Sequence, residues 1–261
     1  MGGFARESGG AGIQAKEFDG DVMNFTMKLA GVPIRIFPLN EKSRDYCKGY
    51  LCEEAPAFEV KVTQKMIEEE REHAGEDNGM FSDAYIERLA IYREIAERMV
   101  ERGVLLFHGS AIEADGEAYL FTAPSGTGKS THARLWRETL PALGHQISMV
   151  NDDKPLLRFT EEGIDVCGTP WNGKHQLGEN KIVPLRAICR ICRGETNTIR
   201  PMMGVERLPV LLSQTYRPKG KEGIRKSLAL LGRLSQEVAM YELHCNMDRE
   251  AALVSYEAMR P

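Results

Sequence analysis

The stretch AYLFTAPSGTGKSTHARLW, residues 118–136, decides how the chain is read. An apolar run ends at Ala123, a glycine-containing loop follows, and a helix-forming segment begins at Lys129. That order suits a phosphate-binding loop, because backbone N–H groups and the positive end of a helix then converge on an anion. The full pattern asks for glycine, four residues, then Gly-Lys-Ser/Thr. Gly128, Lys129 and Ser130 supply the second half, but position 123 is alanine. An alanine fits there if its φ stays negative, since this is where the strand leaves the sheet and not where phosphate lies. The candidate nucleotide-binding residues are therefore Pro124, Ser125, Gly126, Thr127, Gly128, Lys129, Ser130 and Thr131. Lys129 would carry the charge for the β- and γ-phosphates, and Ser130 the hydroxyl for Mg²⁺.

Upstream, VLLFHGSAIEADGEAYLFTA (104–123) alternates in a way that predicts two strands around an Asp115-Gly116 turn. With a two-residue turn, Ala114 faces Glu117, and counting outward along both strands sets His108 opposite Ala123. An imidazole then stands at the mouth of the loop, where it can take part in acid–base work. A bulge would turn it away. Otherwise, a histidine ending an apolar strand is a structural residue.

Downstream, ISMVNDDKPLLR ends an apolar strand in Asn151-Asp152-Asp153. Acids at the carboxyl end of a sheet strand lie in the crevice where α/β proteins bind ligands. Two adjacent carboxylates allow two jobs, proton acceptance and metal binding. The same residues could form an Asx turn between strands. The loop CGTPWNGKHQLGEN (167–180) is too polar for core and too rich in glycine for a plain connector. It is either a packed surface turn or a loop that folds over phosphate or substrate, with Lys174 as the charge carrier, Trp171 as a stacking surface and His175 beside them.

The 261 residues carry 34 Lys+Arg against 38 Asp+Glu, a net charge of −4 that gives no electrostatic case for nucleic acid. No run is long and apolar enough to cross a bilayer, and the first twenty residues lack a signal-peptide core, so a cytoplasmic protein is expected. Six cysteines include one close pair, Cys189 and Cys192, in a run that alternates like a strand. Residues three apart on a strand face opposite ways, so free thiols are expected, not a metal or redox pair.

The expected fold class is α/β: a disordered tail over 1–22, a small α/β N-terminal module over 23–100, and a nucleotide-binding domain with a mixed sheet over 101–261. The module has strands around Ala30-Gly31 and at 57–62, then helices at 63–74 and 82–102. In the second helix, Tyr85, Leu89, Tyr92, Ile95, Ala96 and Met99 recur as a core stripe, and Ser82 is the N-cap. Glu68–Glu70 reads as a solvated helix face.

His108-Gly109, the hairpin, the Ser-Gly-Thr-Gly-Lys-Ser loop and Asp152-Asp153 occur in the order that resembles the catalytic domain of HPr kinase/phosphorylase. ATP-dependent phosphoenolpyruvate carboxykinase shares that fold, although its longer chain and its metal and carboxylate apparatus have no counterpart here. From Met23 onward the chain is similar to a group of HPr-kinase-like proteins of Gram-positive bacteria, through runs such as LLFHGSA, NDDKPLLR, QTYRP and LHCNMD. The resemblance implies ATP and Mg²⁺ held by Lys129 and Ser130. It also implies Asp152 as the base for an acceptor hydroxyl, His108 beside it, and Asp153 on the metal. Thr131 stands where HPr kinase has an acid, and GTPWNGKH replaces that enzyme's glycine-rich signature. HPr and the reverse reaction are therefore not implied. The expectation is an ATP/Mg²⁺-dependent phosphotransferase acting on a hydroxyl of a protein, peptide or small molecule, with a homo-oligomer left open. The alternative is a non-catalytic ATP-binding sensor, favoured by the lack of any motif selecting an arginine for the transition state.

Overall fold

The computed structural model describes residues 24–73, 81–173 and 175–261. The expected tail, 1–22, and Lys174 lie outside these described residues. The rest is a mixed α/β structure with two sheets.

The smaller sheet holds β1 (Phe25–Leu29), β2 (Val32–Phe37) and β3 (Phe58–Lys61). β1 and β2 are antiparallel across a turn at Ala30 (φ 50°) and Gly31 (φ 82°), as their sequence suggests, and β3 runs parallel to β2. Short α1 (Lys42–Tyr46), then α2 (Gln64–His73) and α3 (Asp83–Met99), complete this part. The Ser82 hydroxyl accepts from the Tyr85 N–H, which caps α3 as predicted. Tyr92, Ile95, Ala96 and Met99 are buried, but Tyr85 is exposed and Leu89 half-buried, so the stripe leaves the core at its N-terminal end. The acidic run also departs from expectation. Glu70 is buried and takes a two-pronged ion pair from Arg93 of α3, while of the three only Glu68 is exposed.

The larger sheet runs β4 (Val104–Leu106), β8 (Leu156–Phe159), β9 (Ile164–Cys167), β10 (Ile182–Arg193), β6 (Glu117–Thr122), β5 (Ser110–Ala114) and β7 (Ile147–Asn151). β12 (Ala239–Cys245) lies parallel to β10, with β11 (Thr198–Pro201) on its outer edge. β6 is parallel to β10 and antiparallel to β5, so the sheet is mixed. α4 (Lys129–Thr139) and α7 (Glu250–Met259) cover one face, where Trp136, Phe121 and Tyr119 pack together. α5 (Gly204–Gln214) and α6 (Lys221–Glu237) supply Leu211, Leu231 and Leu234 to another cluster.

Two features tie the small sheet to the large one. Its core continues through Met99 into Val104, Leu156, Cys167 and Trp171. The Tyr92 hydroxyl also donates to the Lys154 carbonyl at 2.7 Å. The cysteines are free thiols, with Cys47, Cys167, Cys189 and Cys245 buried. Among the described residues, no helix is long and apolar enough to cross a membrane.

Candidate functional site

Asp115 (φ 52°) and Gly116 (φ 90°) form the tight turn, and Ala114 faces Glu117 in the register read from the sequence. The pairing stops at Ser110–Phe121. His108 is not in that ladder, because the single long strand expected over 104–114 is split into β4 and β5. Gly109 marks the break: a Cβ there would meet the Leu120 side chain and the Phe121 carbonyl, both at 2.9 Å. His108 is nevertheless held beside the end of β6, its carbonyl accepting from Thr122 Oγ1 at 3.1 Å. Its N–H donates to the Gln214 carbonyl at 2.7 Å, and its Nδ1 meets Gln214 Oε1 at 3.1 Å. Nε2 is thereby aimed at Asp153 Oδ1, 3.5 Å away.

The 123–131 segment joins β6 to α4. Ala123 is buried and has negative φ, so the alanine fits as required. Gly126 (φ 74°) and Gly128 (φ 131°) hold the backbone in conformations that other residues avoid, and a Cβ on either would meet only open space. Lys129 opens α4, and its Nζ donates to the Ala123 carbonyl at 3.0 Å. Burial pushes its ammonium pKa down, while the negative charge of Asp153 works the other way. The neighbouring Ser130 is exposed.

Asn151 organises the acids. Its Oδ1 accepts from the Asp153 and Lys154 N–H groups at 2.9 and 2.7 Å, which is the Asx turn the sequence allowed. Its Nδ2 donates to Thr169 and, at 3.4 Å, to the Trp171 carbonyl, fixing the turn against the 167–180 loop. That loop reaches back: the Gly173 N–H donates to Asp152 Oδ1 at 2.5 Å. A Cβ at 173 would lie 3.0 Å from Asp152 Oδ2, so glycine is what allows the approach.

Trp171 is a correction. It is 3 % exposed, stacked on Tyr92 with centroids 4.0 Å apart, and its Nε1 donates to the Arg88 carbonyl at 2.9 Å. The ring is a wall, not a free stacking surface. His175 is exposed at the rim, and Lys174 is outside the described residues.

These groups border one cleft of about 1050 Å³, which brings together the 125–131 loop, His108, Asp152 and Asp153. Sequence reasoning missed its far side, built by Tyr46, Tyr85, Arg88 and Leu89 from α1 and α3. A second cavity, of about 490 Å³, lies along Gly126–Thr131, with Leu135, Ile191 and Met247 in its walls. Among the described residues, Cys192, Glu242 and His244 come close enough to share an ion, but Arg190 and Arg200 already hold Glu242.

The two acids differ. Burial raises the Asp152 pKa, opposed by the Gly173 N–H. Burial also acts to raise Asp153, yet the His108 contact and the charges of Lys154 and Lys129 outweigh it and hold that carboxyl below the usual range.

No family model matches the chain, and no curated protein matches it. Among solved structures it is similar to the HPr(Ser) kinase/phosphatase from Coxiella burnetii at 10 % identity. That match covers 59 % of this chain and 95 % of the other, with a TM-score of 0.32. At that score the likeness carries no argument about residues or reaction.

Proposed function

We propose that the protein is an ATP- and Mg²⁺-dependent phosphotransferase acting on a hydroxyl group. The observation that carries this reading is the shared cleft: Lys129 and Ser130, at the start of α4, face the same space as Asp152, Asp153 and His108. The loop amides and Lys129 would hold the nucleotide phosphates. Ser130 and Asp153 offer hard oxygen donors, one exposed hydroxyl and one carboxylate kept anionic, which suit Mg²⁺. Bound there, Mg²⁺ would neutralise charge on the transferred phosphoryl group. The cavity beyond Gly126–Thr131 has the apolar walls a nucleobase needs.

Asp152 is the proton acceptor in this reading. Its raised pKa makes it the better base of the two, and Gly173 fixes one of its oxygens. The acceptor oxygen bonds to the γ-phosphorus, its proton passes to Asp152, and ADP leaves with the electrons of the broken P–O bond. Positioning by the loop and the two acids supplies most of the rate.

Calorimetry with Mg²⁺ and ATP on wild type and Lys129→Ala tests the reading, followed by assay of γ-phosphate transfer. Saturable binding lost in the variant is expected. A folded wild type that binds no nucleotide overturns it. Binding without transfer to any acceptor would favour the sensor alternative.

A further inference from the structure

One cation in the cleft has no work in that reaction. Arg88 lies on α3 and lines the same cleft as the 125–131 loop. Its guanidinium stacks over the Tyr46 ring at 4.3 Å and stands 5.8 Å from the Tyr85 ring. Two aromatic faces fix the plane of the fork, which limits the entropy lost when it binds a planar anion. Its Nε is shielded from solvent and has no hydrogen-bond partner, and among the described residues no carboxylate pairs with it. Among the described residues the two lysines of the cleft already have partners: Lys129 is on the Ala123 carbonyl, and Lys154 lies 4.0 Å from Asp153.

We propose that Arg88 binds a carboxylate of the phosphate acceptor, so that the substrate is a hydroxyl-bearing carboxylate. This rests on the phosphotransferase reading above and names the substrate class of that site. Among the described residues no second unpaired cation is seen beside this guanidinium fork, which matches a single negative charge. A dianionic phosphate would call for more positive charge. Arg88 is also linked to the base, since its carbonyl holds Trp171, two residues before the glycine that binds Asp152. The carboxylate-binding side and the proton-accepting side of the cleft therefore keep a fixed spacing.

The same chemistry occurs in a free hydroxy acid and at the C-terminus of a peptide ending in serine. The test uses Mg·ATP with L-serine, D-glycerate, Gly-Gly-Ser and Gly-Gly-Ser-amide, with ethanolamine as a hydroxyl lacking the carboxylate. Transfer to a free carboxylate acceptor is expected, with none to ethanolamine or the amide. Preference between the free acids and the tripeptide identifies the source. Arg88→Ala should raise the KM for that acceptor by about tenfold to a hundredfold, the loss of a charge-assisted contact. It should leave kcat and the Mg·ATP dissociation constant within about twofold. Arg88→Lys, which keeps the charge but loses the fork, should fall between.

The proposal is overturned by equal transfer to the amide, by a fall in kcat with unchanged acceptor KM in Arg88→Ala, or by an acceptor KM set instead by Arg137 in the neighbouring cavity. Nucleotide binding without transfer to any carboxylate also overturns it and leaves nucleotide binding standing. Failure to bind nucleotide removes the phosphotransferase reading itself.

Discussion

Burial keeps the Asp152 carboxyl above the ordinary aspartate range, while Asp153, the next residue, is held below it against its own burial by His108, Lys154 and Lys129. Two carboxyls with affinities pushed apart can divide the labour of accepting a proton and holding a cation. Their separation comes from different partners. Asp152 is turned toward Gly173, and Asp153 toward His108 and two lysines.

Asp152→Asn should lower phosphate transfer by about a hundredfold to ten-thousandfold, the usual worth of a positioned base. Affinity for Mg·ATP should stay within about twofold. In wild type, the rate should fall with acidity through a midpoint above the usual aspartate value, because the deprotonated form is the active one. Single-turnover assays across pH measure both, and normal transfer by the variant would exclude Asp152 as base.

Gly173→Ala tests the approach to that base. The new methyl would stand 3.0 Å from Asp152 Oδ2, too close to keep the N–H bond undisturbed. Transfer should drop by at least about tenfold, as expected for a small misplacement of a reacting group. Nucleotide affinity measured by calorimetry should be unchanged.

Trp171→Ala should destabilise the fold by about 3–5 kcal/mol, the range for emptying a large aromatic site. The ring is buried against Tyr92 and tied to the Arg88 carbonyl. Denaturant unfolding reads this directly. A loss much smaller than that would return the ring to the role of a substrate surface.

His132 should make stability depend on pH. Burial drops its pKa from 6.5 to about 3, so it is neutral in the folded chain, with Nε2 on Ser255 Oγ at 3.0 Å. Below pH 6.5 the unfolded chain takes up a proton that the folded chain refuses. Stability is therefore lost as pH falls from 6.5 toward 3, with a slope of up to about 1.4 kcal/mol per pH unit from this group. His132→Phe should remove that contribution. Equal slopes in wild type and variant over this window would contradict it.

Much of the fold was legible because local chemistry dictates it. Asp115-Gly116 and Ala30-Gly31 announce their turns, and Ser82 its helix. The loop at 123–131, the Asp pair and His108 could be read from spacing, although the strand carrying His108 breaks where Gly109 packs against Leu120. What escaped depends on residues distant in sequence. Gln214 meets His108 across 106 positions, and Arg93 draws Glu70 inward across 23. Arg88 lies in a helix whose apolar spacing points only to core. No periodicity says that one turn of it, with Tyr85 and Leu89, borders the cleft. Trp171 misled for the opposite reason: composition marks a polar loop and cannot say that its tryptophan turns inward.

The hydrogen bond from Trp171 to Arg88 has a practical consequence for anyone who would divide this chain. A fragment beginning near residue 101 would retain the loop, both aspartates and His108, yet it would lose the lid over Trp171. The indole and the apolar strand ends beside it, Leu156 and Cys167, would face water. Gly173 would lose the support that keeps it on Asp152. The described residues before 101 are thus no detachable accessory: the part of the chain that carries the 123–131 loop and Asp152 borrows a wall from them, and a truncation would leave Asp152 without its support.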